Sequence, residues 1–218
     1  MSNFLFRAII FLCLFSVSIC QAQLLKKIDL EKLLNDNQLV VHGKQNITAV
    51  KDGNYKGIST TGIVWLKNLH FSTGSIDVDL RGRDVFQKSF LGIAFHGIDT
   101  VTYDAVYFRP FNFQSGDTLR RKHQVQYISE PDYPWYRLRK EHPLIYENGI
   151  ISPPVASSWF HAHIVIDECE IRVYVNQSRA PSLIVKKLNT RTDGLVGLWT
   201  DSLALPGDFA NLVISPAK

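Results

Sequence analysis

Between residues 38 and 214 the chain alternates apolar and polar positions in short runs bounded by Gly, Pro, Asn or Asp. Ile76, Val78 and Leu80 share one parity, with Asp77 and Asp79 on the other. Leu91, Ile93 and Phe95 repeat the pattern, as do Phe160, Ala162, Ile164 and Ile166, and then Ile171, Val173 and Val175. Side chains two residues apart point to one face of a strand, so each run predicts a strand with one buried face. Strands are expected at 38–41, 63–69, 74–80, 90–96, 103–113, 124–129, 160–167, 171–176, 182–187, 195–200 and 210–214. A hairpin is expected to turn at Asp167-Glu168-Cys169-Glu170. Only 24–35 reads as an amphipathic helix or lead-in, through Leu24, Ile28, Leu33 and Leu34. This many short strands separated by turns predicts an all-β protein: a two-sheet antiparallel β-sandwich (jelly roll) with one core between its inner faces.

The first residues follow a different rule. Arg7 supplies a positive charge, Ala8 to Ile19 is an apolar run, and Cys20-Gln21-Ala22 offers small residues to a signal peptidase. The run is shorter than the ~20 residues of a spanning helix. Residues 1–22 are therefore expected to be a signal peptide, cleaved before Gln23. An uncleaved anchor and lipid attachment at Cys20 are the competing readings. The product would be secreted or periplasmic, with no membrane insertion after cleavage. Residues 23–218 then form a single domain of 218 − 22 = 196 residues. The net charge of +4, or +3 without Arg7, gives no electrostatic case for nucleic acid. Of three cysteines only Cys169 remains after cleavage, so no disulfide is available within the domain. Glu168 and Glu170 on either side disfavour its thiolate.

The segment 103–113 carries the most distinctive chemistry. Val106 and Phe108 alternate toward the core, leaving Tyr107, Arg109, Phe111 and Phe113 on the opposite face. Aromatic rings stack on the apolar faces of sugars, while Arg and Asn donate hydrogen bonds to hydroxyls or a carboxylate. The alternative for Arg109 is a buried, paired residue between rings. His96, facing away from Leu91, Ile93 and Phe95, is expected beside this face, as are Gln124 and Gln126. Residues 130–158 read as a long irregular loop whose Trp135, Tyr136 and Arg137 could overhang it. The expected ligand-binding set is His96, Tyr107, Arg109, Phe111, Asn112, Gln126, Trp135 and Tyr136. His161 and His163 lack a third metal ligand at a recognisable spacing, so a solvent-facing strand is expected and neither metal nor cofactor is implied.

The strands Gly74-Ser75-Ile76-Asp77-Val78-Asp79-Leu80 and Phe90-Leu91-Gly92-Ile93-Ala94-Phe95-His96 carry a resemblance. So do the closing Leu195-Val196-Gly197-Leu198-Trp199 and Phe209-Ala210-Asn211-Leu212-Val213-Ile214. From about 43 to 215 the chain resembles the concanavalin A-like lectin/glucanase (laminin G-like) superfamily. It is similar in layout to bacterial secreted 3-keto-disaccharide hydrolase domains. The resemblance implies a glycan on the concave sheet, where Tyr107, Arg109 and Gln126 fall. Glucanases of that superfamily carry a strand with Glu-x-Asp-x-x-Glu or Glu-x-Asp-x-Glu; here Ser75 stands in the first acid's place, which argues against their chemistry. An exported carbohydrate-binding domain is the leading expectation, with a carbohydrate as its partner. The alternatives are a glycan-degrading hydrolase using His96, Arg109 and one of Asp104, Glu130 or Glu141, and a protein-interaction module built on the aromatic loop.

Overall fold

The computed structural model describes residues 25–43, 45–201 and 205–217; the expected signal peptide lies outside them. In chain order the elements are β1 (Lys26–Lys27), α1 (Leu30–Asn35), β2 (Leu39–Val41), β3 (Thr48–Asp52), β4 (Tyr55–Thr60), β5 (Ile63–Phe71) and β6 (Gly74–Arg81). Next come β7 (Leu91–Gly97), β8 (Tyr103–Phe108), a 3-10 turn (Pro110–Asn112), α2 (Thr118–Arg121), β9 (Val125–Glu130), α3 (Trp135–Glu141) and β10 (Glu147–Asn148). The remainder is β11 (Phe160–Ile166), β12 (Glu170–Val175), β13 (Leu183–Lys186), β14 (Gly194–Thr200) and β15 (Gly207–Pro216).

These strands make two antiparallel sheets. One runs β13-β12-β11-β6-β15-β4-β3, with β1 added along β15; the other runs β10-β9-β8-β7-β14-β5-β2. The expected parities hold. Ile76, Val78 and Leu80 pair in register with Ile164, Ala162 and Phe160, and all are buried in the core. Leu91 and Ile93 pair with Phe108 and Val106 in the opposite sheet and meet that same core. Each fully buried Leu or Ile contributes about 2 kcal/mol through removal of apolar surface from water. Among the described residues no helix is long and apolar enough to cross a membrane.

Four features depart from the sequence expectations. The β3–β4 hairpin was not foreseen, because the outer strand β3 is wet on both faces and shows no apolar alternation. Its two-residue turn, Gly53-Asn54, places Gly53 at φ 56, where glycine carries no steric penalty. The strand expected over 103–113 stops at Phe108. Arg109 N–H still bonds the Gln124 carbonyl at 2.8 Å, but Pro110 has no N–H and opens the 3-10 turn. Phe113 consequently enters the core against Phe160, centroids 5.3 Å apart, instead of sharing a face with Tyr107. Residues 130–158 are also partly regular, holding α3 and β10.

The fourth departure is a bulge. Between the pairs Leu195↔Gly97 and Gly197↔Ala94, β14 advances two residues and β7 three, so β7 carries an extra residue. His96 absorbs it at φ 50. Its ring turns inward between Phe71 and Phe95, fully buried, with Nε2 2.7 Å from the Ser72 carbonyl. The sequence placed His96 on the opposite face; the bulge reverses that placement.

Candidate functional site

The outer face of the seven-stranded sheet is not an ordinary wet surface. Glu147, Gln126, Tyr107, Gly92 and Trp199 stand side by side across β10, β9, β8, β7 and β14. Gly92 is the gap in this row. A methyl group there would lie 2.0 Å from the Val106 carbonyl oxygen and 2.9 Å from Tyr107 Cβ. With no side chain at Gly92, the Tyr107 and Trp199 rings approach to 4.7 Å across it. One row along, Ile128, Ala105 and Ala94 keep the floor low, and Trp65 lies against Gly97 and Gly197. These residues form a second apolar cluster outside the main core, and α3 covers part of it with Leu138.

A cavity of about 600 Å³ opens over this floor. Its rings form a connected series: Phe86 meets Phe111 at 5.6 Å, Phe111 meets Phe90 at 5.2 Å, Phe90 meets Tyr107 at 6.3 Å, and Tyr107 meets Trp199. Trp135 stands on the wall from the first turn of α3. Phe86 and Trp135 are exposed at the rim, while Tyr107 and Trp199 are the buried floor.

Arginines line one side. Arg109 is 4% exposed and held from four directions. It donates to the Tyr107 hydroxyl at 2.6 Å, to Gln126 Oε1, to the His123 carbonyl at 3.3 Å and to Glu147 Oε2 at 3.4 Å. The Tyr107 hydroxyl in turn donates to Gln126 Oε1 at 2.9 Å. Arg139 grips Glu147 with two nitrogens, at 2.8 and 3.1 Å. His123 Nδ1 lies 2.8 Å from the same carboxylate, close enough for attraction but not aligned as a hydrogen bond. Burial pushes the Glu147 carboxyl upward, but the Arg139 bonds and the charges of Arg109, Arg139 and His123 prevail and hold it below its ordinary value. Burial also lifts the Tyr107 hydroxyl to about 12, keeping it a neutral donor.

The acids divide clearly. Glu130 lines the cavity, forms no side-chain hydrogen bond or ion pair among the described residues, and has its pKa raised by burial. Asp201 lines it as well. Asp104 is fully buried elsewhere, accepting from Tyr127 at 2.8 Å and from Asn189 and Arg191, and Glu141 is a surface partner of Arg137.

Of the eight expected ligand contacts, Tyr107, Arg109, Phe111, Asn112 and Trp135 line the cavity. Gln126 sits behind it, buried, positioning Tyr107 and Arg109; its amide nitrogen has no hydrogen-bond partner among the described residues. Tyr136 points outward, 62% exposed, because it follows Trp135 on the helix by about 100°. His96 is in the interior for the reason given above. Glu130, expected as one of three candidate acids for hydrolysis, also lines the cavity; Phe90, Arg120, His123, Arg139 and Trp199 were not foreseen. Two of them left a trace: Trp199 has the opposite parity to core residue Leu198, and Arg139 follows Trp135 by four residues, one helical turn.

The other sheet presents a separate charged cluster. His161 and His163 pair with Asp79 and Asp77 across β11 and β6, at 2.8 and 2.7 Å, and His161 Nε2 reaches Asp77 at 3.1 Å. These bonds raise His161 to about 9. Burial pushes Asp77 up, but the two imidazoles outweigh it and hold the carboxyl low. Among the described residues no group of three or more His, Cys, Asp and Glu side chains could hold a metal ion.

No family model and no curated protein matches the chain. Solved structures do. It is similar to a Bacillus subtilis protein of unknown function with a galectin-like fold, at 9% identity and a TM-score of 0.54, over 87% of this chain and 94% of that one. It is also similar to carbohydrate-binding module CBM66 from Bacillus subtilis, at 12% identity and a TM-score of 0.52, over 78% and 92% of the two chains. A candidate glycosyl hydrolase from Parabacteroides distasonis aligns at 11% identity and a TM-score of 0.53, over 88% and 98%. At such identities the likeness shows the fold. That fold is a two-sheet antiparallel β-sandwich, galectin-like in the first of these structures.

Proposed function

We propose that this protein is an exported carbohydrate-binding domain that holds a sugar in the cavity between α3 and the outer face of the seven-stranded sheet. The observation that carries the proposal is the connected series of rings from Phe86 to Trp199, flanked by fixed donors. Sugar rings present apolar C–H faces and peripheral hydroxyls, which match an aromatic wall with Arg109, Arg120, Arg139 and His123 beside it. A volume of about 600 Å³ falls within the range of small-molecule sites. The carbohydrate-binding relative of like fold supports the proposal by analogy only. A glycan array followed by calorimetry tests it, with Phe86→Ala and Trp135→Ala as rim variants. Binding that each variant weakens by about tenfold or more fits the loss of one stacked ring; binding unchanged in both rejects the cavity.

One observation favours hydrolysis as a second reading. Glu130 faces the cavity with no side-chain hydrogen bond or ion pair among the described residues, and burial raises its pKa, the direction a general acid requires. Product analysis of each array hit decides it. Cleavage that Glu130→Gln abolishes establishes an enzyme, and intact glycan leaves a binding domain.

A further inference from the structure

We infer that the cavity selects a sugar carrying an anionic group, a carboxylate or a sulfate ester. The inference rests on the carbohydrate reading above and adds the ligand's charge to it. Four cation-capable groups line one side of the cavity: Arg109, Arg120, Arg139 and His123. They form one connected network. Arg120 Nε donates to Asn112 Oδ1 at 3.1 Å, Asn112 Nδ2 donates to the His123 carbonyl at 2.9 Å, and Arg109 and Arg139 converge on Glu147. Within that network Glu147 is the one carboxylate, and it lies beneath the floor at 2% exposure. Three guanidinium charges against Glu147 and the lining Asp201 leave a surplus of positive charge on this side. Glu130 belongs to the far end: it pairs with Tyr103, four residues along β8 from Tyr107, or roughly 13 Å away.

The donors also have the right disposition. Arg139 gives Nε and Nη2 to Glu147, and Arg120 gives Nε and Nη2 to Asn112 and the Phe111 carbonyl. The Nη1 of each makes no hydrogen bond among the described residues. Both guanidiniums are already fixed over rings, Arg139 at 5.2 Å from the Trp135 centroid and Arg120 at 4.3 Å from that of Phe86. These are the two exposed rim aromatics. A sugar stacked at the rim would therefore carry its substituent toward a pre-oriented, unspent arginine donor. A neutral hydroxyl uses such a donor weakly, whereas an anion gains a charge-assisted bond about twice as strong.

The test is calorimetry of the protein with matched trisaccharides. The first set holds α-1,4-galacturonate, β-1,4-glucuronate and β-1,4-mannuronate; the second holds their carboxyl-reduced, neutral counterparts; the third holds sulfated galactans. Binding of an acidic member at least about tenfold tighter than its neutral counterpart is expected, falling as salt is raised. Arg120→Gln, whose loss leaves the buried Glu147 pairs intact, should weaken that binding by about tenfold, with the thermal melt as fold control. Preference for the first or third set identifies the anion as carboxylate or sulfate. If a neutral counterpart binds as tightly as its acidic match, the charge inference is overturned while the carbohydrate reading stands. If no member of any set binds, both fail together.

Discussion

Replacing Glu147 with glutamine tests whether one buried carboxylate holds the arginine side of the cavity in place. The carboxylate is 2% exposed, takes two bonds from Arg139, and lies 3.4 Å from Arg109 Nη1. Arg109 is the partner that cannot escape, since its own side chain is 5% exposed. Removing one member of a buried ion pair costs about 3–5 kcal/mol, because the other charge stays desolvated and uncompensated. Two features reduce that figure here. The glutamine oxygen still accepts one hydrogen bond, and Arg139, 38% exposed, can turn to water. A loss of about 2–3 kcal/mol is therefore expected, equivalent to a melting point lower by about 4–12 °C for a domain of this size. Urea titration measures it, with an unchanged slope showing that the unfolded state is unaffected. Arg109→Met in the Glu147→Gln background should recover part of the loss, giving a coupling of at least about 1 kcal/mol in the double-mutant cycle. A single-variant loss below about 0.5 kcal/mol, typical of a surface site, would refute the reasoning.

Other consequences are open to measurement. Gly92→Ala should destabilise by about 2 kcal/mol or more in chemical denaturation, since its methyl must displace the Val106 carbonyl or the Tyr107 backbone. Trp135→Ala and Tyr136→Ala, neighbours on α3, should differ in calorimetry: the first weakens sugar binding and the second does not, because only Trp135 lines the cavity. His161→Gln should flatten the pH dependence of stability on the alkaline side. His161 sits near 9 in the folded protein, above its ordinary 6.5, so its stabilising share is complete below pH 6.5 and lost as pH rises through 9. With the side chain 34% exposed, solvent screening reduces that share to about 1 kcal/mol, readable from melts between pH 6 and 10. Asp77 acts in the opposite sense, its share being lost as pH falls.

How much of this was legible in the sequence follows from which interactions are local. Strands with one dry face, such as Gly74–Arg81 and Phe160–Ile166, announce themselves through alternation alone. The strand Thr48–Asp52, wet on both faces, does not, and Trp135–Glu141 is too short for a helical period to emerge. A bulge is invisible until the partner strand is known, which is why His96 was assigned to the wrong face. Tyr107, Arg109 and Trp135 were found because they mark a locally aromatic, charged segment. Trp199 and Glu147 join them only through sheet order: β14 lies beside β7, and β10 beside β9, across long stretches of chain. The same applies to the outer-face cluster. His161 and His163 meet Asp79 and Asp77 because β11 pairs with β6, which the separate alternation of each strand does not disclose.

The most direct test of the central claim is a crystal structure of the protein with the tightest ligand found on the glycan array. A sugar ring is expected in van der Waals contact, within about 4.5 Å, with Phe86 or Trp135, directed toward the Tyr107–Trp199 floor and within hydrogen-bonding reach of Arg120 or Arg139. A sugar bound on the eight-stranded sheet beside His161 and Arg172, with the aromatic cavity left to solvent, would contradict it.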